Sequence, residues 1–399
     1  MTLASNSIAV IAPGSSIGIL GSGQLGRMMA IAAKHMGYRV HIFSPIHDSP
    51  AGQVADLEIQ AGLDDLEAVE SFARQVDVVT VETENIPTDV LGAAAKYVPA
   101  YPGTRTLRVC QNRGLEKQFL VDNNIPTNRF QVISSVQELT QASDELMPGV
   151  LKTTTGGYDG KGQVVVKSQA DFDEAGKLLA AGEAILEEWV DFDWEFSIVA
   201  ARNANGQFKA YPSIRNEHKN GILDVSSVPS GLPDEVNETA TKLVREIMEC
   251  LDTVGVLTVE FFYCNGKVLV NEIAPRPHNS GHLTIEGHAT NQFEQHIRAV
   301  CGLTAGSTRL LNPVAMANIL GNQWSHGEPK WELALKMPNT KIHLYGKSAP
   351  APNRKMGHLI SFAESVELAR ENVLTARNQL SQGSEIPSAE DSVRTEIRS

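Results

Sequence analysis

The spacing of apolar positions changes along the chain and divides it into stretches of different character. Residues 17–20 form a short apolar run that stops at Gly21-Ser22-Gly23-Gln24-Leu25-Gly26. Beyond it Leu25, Met28, Met29, Ala32 and Met36 recur at i, i+3, i+4, i+7 and i+11, the stripe of one helix face. Gly37 stands where a helix-ending glycine belongs, and residues 38–43 resume as a strand. A helical stretch near 65–74 leads to another strand at 76–81. Strands alternating with helices predict a parallel, doubly wound sheet over about the first hundred residues.

The middle follows another rule. Asn112 is placed to cap a helix running to about Asp122. Strands at 149–152 and 163–167 flank a loop, 153–162, that holds four glycines. Residues 184–190, 195–202 and 207–211 read as strands, the last two joined through Asn205-Gly206, a hairpin signal. A helix over about 234–253 precedes a second hairpin, 256–263 and 268–273, turning at Asn265-Gly266. Antiparallel pairs dominate this α+β segment. After Leu310 come short strands at 315–320, 341–345 and 358–362 and a helix near 364–380; the polar residues from about 381 are expected to fray.

Composition narrows the class. The 399 residues suit two to three domains at about 150 each. With 34 basic against 47 acidic residues the net charge is −13, and no basic block exists to meet nucleic acid or a membrane surface. No window is apolar enough to span a bilayer, and the first residues do not resemble a signal peptide. The four cysteines, without CxxC spacing, read as reduced thiols of a cytoplasmic protein.

Several clusters carry chemistry. Gly21-x-Gly23-x-x-Gly26 has dinucleotide-fingerprint spacing, but the second strand ends Phe43-Ser44-Pro45 and lacks the acid that a ribose would need. Amides of that turn are instead expected to hold a phosphate. Lys152, followed by Gly156-Gly157-Tyr158-Asp159-Gly160-Lys161-Gly162, pairs cations with close backbone approach, as phosphate binding requires. Glu260 and Glu272 flank the second hairpin. They face each other if a three-residue loop with a bulge at Gly266 joins the strands, and lie on opposite faces if the loop has two residues. Facing carboxylates repel without a proton or cation between them, which suggests Mg2+. Arg276-Pro277-His278-Asn279 suits an anionic, hydrogen-bonding substrate better than zinc.

In their order, GSGQLGRM (21–28), GGYDGKGQ (156–163), NEIAPRPHNSGH (271–282) and KMGH (355–358) resemble the ATP-grasp enzymes, and among them the N5-carboxyaminoimidazole ribonucleotide synthases of purine biosynthesis. The resemblance runs from about Ile17 to Arg370. It implies a Rossmann-like parallel-sheet domain at 1–108, an ATP-grasp domain at 109–308 with a lid at about 130–195, and a small β-rich C-terminal domain at 309–399. It implies a ligase in which ATP phosphorylates bicarbonate and the carboxyphosphate carboxylates 5-aminoimidazole ribonucleotide, with Mg2+ on Glu260 and Glu272.

By the same resemblance ATP meets Arg108, Lys152, Gly157 to Gly162 (Tyr158, Asp159, Gly160 and Lys161 included), Glu187, Glu188, Trp189, Val190, Glu195, His218, Asn271 and Glu272. The ribonucleotide meets Gln24, Leu25, Glu82, Tyr158, Asp159, Lys161, Arg276, His278, Asn279, Lys347, Arg354 and Lys355. Asp159, Lys161 and Arg276 are the expected catalytic groups. A homodimer and a separate downstream mutase are also implied. Ser22 departs from the usual glycine and needs a negative φ; Thr154 and Thr155 stand where arginines are common. The nearest rival, formate-dependent glycinamide ribonucleotide transformylase, shares the Glu82-x-Glu84 pair and the Arg276-Pro277-His278 run, but shows Gly-Glu-Leu where Gln24 stands. A silent nucleotide-binding module is the other alternative, opposed by intact Lys152, Glu260 and Glu272.

Overall fold

Five short strands build the first layer: β1 (Ser16–Leu20), β2 (Arg39–Ser44), β3 (Leu57–Gln60), β4 (Val78–Val81) and β5 (Ala100–Tyr101). The computed structural model describes residues 9–157 and 161–381. The strands run in the order β3-β2-β1-β4-β5 and every pair is parallel. The helix Gln24–His35 packs Leu25, Met28, Met29 and Ala32 into one core with Ile17, Ile19 and Val40. Met36 is its C-cap and only half-buried, because Gly37, at φ 84°, turns the chain there. The order of strands reverses between β1 and β4, so their carboxyl ends open a crevice.

A second, antiparallel sheet contains β6 (Phe130–Ile133), β7 (Gly149–Thr153), β8 (Gln163–Val166) and β9 (Ala184–Glu188) in the order β6-β9-β7-β8. The helix Arg113–Asp122 leads into it, its Leu115 amide capped by the Asn112 side chain as the sequence predicts.

The third sheet has nine strands. They are β10 (Trp194–Arg202), β11 (Phe208–Ala210), β12 (Ile214–Lys219), β13 (Ile222–Val228), β14 (Gly255–Cys264), β15 (Lys267–Ala274), β16 (Val314–Leu320), β17 (Thr340–Leu344) and β18 (Lys355–Phe362). Their order is β15-β14-β10-β12-β13-β16-β18-β17, with β11 on β10. The C-terminal strands therefore add no separate layer: β16 pairs with β13 from Val225↔Ala317 to Val228↔Val314, and one sheet continues through both segments. The helix Asp234–Cys250 buries Val236, Ala240, Val244, Ile247 and Met248 in the core shared with Phe196, Leu257 and Phe261. The helix Val366–Gln379 covers β16 and β18 through Ala369, Val373 and Ala376. No helix among the described residues is long and apolar enough to cross a membrane.

Candidate active site

The glycine turn after β1 works differently from the sequence expectation. Gly21 takes φ 99°, which a side chain would strain, while Ser22 stays out of the left-handed region. The amide of Gly23 donates to Glu82 Oε2 at 2.5 Å, and a Cβ on Gly23 would collide with that carboxylate. Burial pushes the Glu82 carboxyl up, against the amides of Gly23, Gly26 and Leu25 that favour its ionised form. The turn's amides thus serve a protein carboxylate, not a phosphate. Glu82 is correspondingly committed to the turn, and the Leu25 side chain belongs to the core. Gln24, the first residue of the helix, is half-buried at the same end.

Two residues on, Glu84 meets Arg276. The guanidinium forms a two-pronged pair, Nε with Oε2 and Nη2 with Oε1 (2.9 Å), and Nη1 donates to the Pro277 carbonyl. This joins the crevice of the first sheet to the end of β15. Among the described residues three of the five N–H groups on the arginine are used, and two remain for an anion. Glu84 was not among the expected site residues.

The β14–β15 hairpin brings Glu260 opposite Glu272, by a route neither sequence alternative contained. Asn265 and Gly266, at φ 49° and 77°, make a two-residue loop, which alone would set the glutamates on opposite faces. The register shifts by one beside Glu260, where Asn271 is the extra residue, and the shift restores the pairing. The bulge is therefore at Asn271, not Gly266. Burial pushes the Glu260 carboxyl up to about 7; His218 opposes that shift, and Glu272 and Glu195 add to it. Asn271 Oδ1 is buried without a hydrogen-bond partner. Two carboxylates and an orphaned amide oxygen are hard donors that fit Mg2+.

Other groups crowd the same carboxylate. His278 Nε2 lies 3.3 Å from Glu260 Oε1, and burial holds its imidazole well below the ordinary range, hence neutral. His218 Nδ1 is 2.7 Å from Glu195 Oε2, and ligand atoms of Glu195, His218 and Glu260 all fall within 4.8 Å of one another. Glu116, a helix residue that no motif marks in the sequence, is buried beside Glu272 and accepts from the Ile273 amide at 3.1 Å; burial pushes its carboxyl well up. Asn279 is closed into a reciprocal amide pair with Asn318 at 3.1 and 2.8 Å, so its side chain is not open to a substrate.

Lys152, on β7, places Nζ 3.1 Å from Glu187 Oε2. Glu187 is buried and, despite burial, is held down to about 2 by Lys152 and Lys117. Its carboxylate belongs to lysines and not to an adenine. Glu188 accepts from the Arg129 amide and Nε at 2.8 and 2.7 Å. Beyond β9, Trp189 is exposed and Val190 half-buried.

Arg108, the expected phosphate contact, is exposed on the helix Thr104–Cys110. Arg113 holds the base of the glycine loop: Nη1 donates to the carbonyls of Thr153 (2.8 Å) and Gly156 (2.6 Å), and Nη2 to Gly157. The loop base is pinched, since a Cβ on Gly157 would sit 2.7 Å from the Lys161 carbonyl oxygen. Gly162 closes that base by accepting from the Thr153 amide at 2.9 Å, and Lys161 beside it is exposed. Thr154 turns inward, its Oγ1 donating to the Glu183 carbonyl. Tyr158, Asp159 and Gly160 lie outside the described residues.

From the C-terminal strands, Lys355 opens β18 and lies close enough to Glu260, His218 and His278 to shift their protonation. Lys347 Nζ donates to the Lys355 carbonyl at 2.7 Å, while Arg354 is exposed and donates to the Ala349 carbonyl at 2.6 Å. The geometry thus brings together Glu195, His218, Glu260, Glu272, His278 and Lys355, while Lys152 sits with Glu187 and Lys117.

Family models match in the same order: a ribonucleotide synthetase preATP-grasp domain over residues 15–111, an ATP-grasp domain over 118–293 and a phosphoribosylaminoimidazole carboxylase C-terminal domain over 314–372. The N5-carboxyaminoimidazole ribonucleotide synthase of Bacillus subtilis is 44% identical over 352 residues, 88% of this chain and 92% of that protein. The chain belongs to this family. Its Brucella melitensis relative is 40% identical over 87% of the chain and 96% of the relative. An ADP complex of an N5-carboxyaminoimidazole ribonucleotide synthetase superposes with a TM-score of 0.87 at 43% identity, covering 94% of this chain and 99% of that one. An Aspergillus clavatus synthase in complex with ADP and 5-aminoimidazole ribonucleotide gives 0.85 at 31% identity, covering 92% and 98%. The fold class and the ATP-grasp ligase assignment expected from the sequence stand.

Proposed function

We propose that the chain uses ATP and bicarbonate to carboxylate the exocyclic amine of 5-aminoimidazole ribonucleotide, releasing ADP and phosphate. The observation that carries this reading is the likeness, along nearly the whole chain, to a synthase bound to ADP and that ribonucleotide. A bicarbonate oxygen attacks the γ-phosphorus and ADP leaves. The carboxyphosphate then loses phosphate, and its carbon is taken by the amine, which gives up a proton.

Lys152 and Lys161 neutralise and orient the phosphates, with Arg113 holding the loop base. Glu195 faces the ribose, oriented by its 2.7 Å contact with His218. Arg276, steadied by Glu84, offers its remaining N–H groups to bicarbonate and offsets the charge that develops there. Asp159 accepts the amine proton. Glu260, Glu272 and Asn271 would hold Mg2+, which when bound offsets phosphate charge. Gln24 on the ribonucleotide, the division at 108 and 308 (the latter within one continuous sheet), a cytoplasmic homodimer and a separate mutase that takes the product are part of this reading.

ADP release is expected to need both the ribonucleotide and bicarbonate, and formate should not replace bicarbonate. ADP formed equally well with formate would transfer the chain to the transformylase reading. For the ribonucleotide 5′-phosphate, Lys347, Arg354 and Lys355 form a cationic clamp on an otherwise acidic chain. Arg354→Ala should raise the Michaelis constant for the ribonucleotide about ten-fold or more and leave that for ATP nearly unmoved. Equal shifts of both constants would remove Arg354 from the clamp.

A further inference from the structure

Among the described residues Lys117 is the only buried lysine or arginine, 1% exposed on the helix Arg113–Asp122. An ammonium taken out of water needs a partner for each N–H. Its Nζ donates to Thr127 Oγ1 at 2.8 Å, to Asn128 Oδ1 at 2.6 Å and to the Val270 carbonyl at 3.4 Å. Glu187 Oε2 lies 3.6 Å away. That same oxygen is 3.1 Å from Lys152 Nζ and accepts from Asn128 Nδ2 at 3.1 Å. Asn128 can point only one way here, oxygen toward the lysine and nitrogen toward the carboxylate.

The cluster therefore holds two ammonium groups and one carboxylate, a net charge of one positive. A lone Lys152–Glu187 pair would be neutral. Lys117 is sealed off and cannot touch a ligand, whereas the Lys152 side chain is 19% exposed at the edge of the glycine loop. The lysine also spans both sheets: Val270 is on β15 of the third and Glu187 on β9 of the second.

We propose that Lys117 is a positioning residue for the nucleotide phosphates: it offsets Glu187, so that Lys152 presents an uncompensated positive charge to the triphosphate. This rests on the reading above that Lys152 meets ATP. Lys117→Met keeps the length and removes the charge, so Glu187 then neutralises Lys152 alone. Lys117→Met/Glu187→Gln returns the cluster to one positive charge.

The test measures initial rates of ADP release by the full chain, with ATP and the ribonucleotide varied in turn at saturating bicarbonate. Lys117→Met is expected to raise the Michaelis constant for ATP on the order of ten-fold, with that for the ribonucleotide within about two-fold. The double variant should return the ATP constant to within about three-fold of wild type, a rescue that lost packing alone would not give. A double variant no better than Lys117→Met, or parallel shifts of both constants, overturns the proposal. Where Lys117→Met does not fold, the double variant decides by itself, since its buried charges leave together. An ATP constant within three-fold then supports the proposal, and a ten-fold rise overturns it. Lys152→Met, run alongside, should raise the ATP constant at least as far. If it does not, the nucleotide assignment of Lys152 fails first and the role of Lys117 falls with it.

Discussion

Glu272→Gln is expected to lower ATP turnover on the order of a thousand-fold or more while the chain folds normally, as circular dichroism and a denaturant midpoint would register. Glutamine keeps the size and one oxygen but loses the charge, so the facing pair at Glu260 and Glu272 can no longer hold a divalent cation against triphosphate. Wild-type turnover in this variant would mean that the shared face of the hairpin has no catalytic use. The pH dependence follows from Glu260, whose carboxyl sits near 7 where 4.5 is ordinary. An acid with a raised value binds its proton more tightly folded than unfolded. Its contribution to stability is therefore present in full below 4.5 and is lost as pH rises toward 7. Without metal, stability should fall across that window; with Mg2+ and nucleotide, the ionised form gains a partner and the fall should shrink. Apparent affinity for Mg2+ should weaken as pH drops below about 7, because proton and metal compete for the same oxygens.

The hairpin also shows where the sequence can and cannot be read. That Asn265-Gly266 turns the chain is legible from two residues that tolerate a positive φ. That Glu260 and Glu272 face each other was open, because a bulge in mid-strand leaves no periodic trace. Asn271 looks like any polar strand residue until its neighbours Val270 and Glu272 are seen to pair with consecutive residues. The strands β12 and β13 are hard to see in the sequence although Asn220-Gly221, at φ 54° and 74°, carries the same turn signal. Glu217 and His218, with a register shift between them, interrupt the alternation on that side.

Charges were legible by type and not by partner. Lys152, Arg276 and Glu187 stand out as candidates, but the sequence does not say that Glu187 belongs to lysines or that Glu84 grips Arg276. Lys117 lies in a helical pattern where a lysine ordinarily faces solvent, and only the Thr127-Asn128 turn and Val270, far along the chain, bury it. Arg108 and Arg113 differ in what the fold brings near them. Both sit in short helices, and the loop carbonyls at Thr153 and Gly156 reach only the second.

Arg276→Ala should produce two losses that can be separated. The first is stability. Glu84 would be left a largely buried carboxylate without its partner, and since the two side chains are 17% and 16% exposed, the cost should be about 2–3 kcal/mol, below the 3–5 of a fully buried pair. The second is catalysis: carboxylation should fall on the order of a hundred-fold or more, because the cation that meets bicarbonate is gone. Adding Glu84→Gln removes the stranded charge. The double variant is expected to regain most of the denaturant midpoint and none of the turnover. That pattern would fit a guanidinium which braces the first sheet against β15 with one edge and works on the substrate with the other. Turnover that recovers along with stability would instead make Arg276 a brace only, and the group that holds bicarbonate would then have to be sought among Lys161, His278 and Lys355.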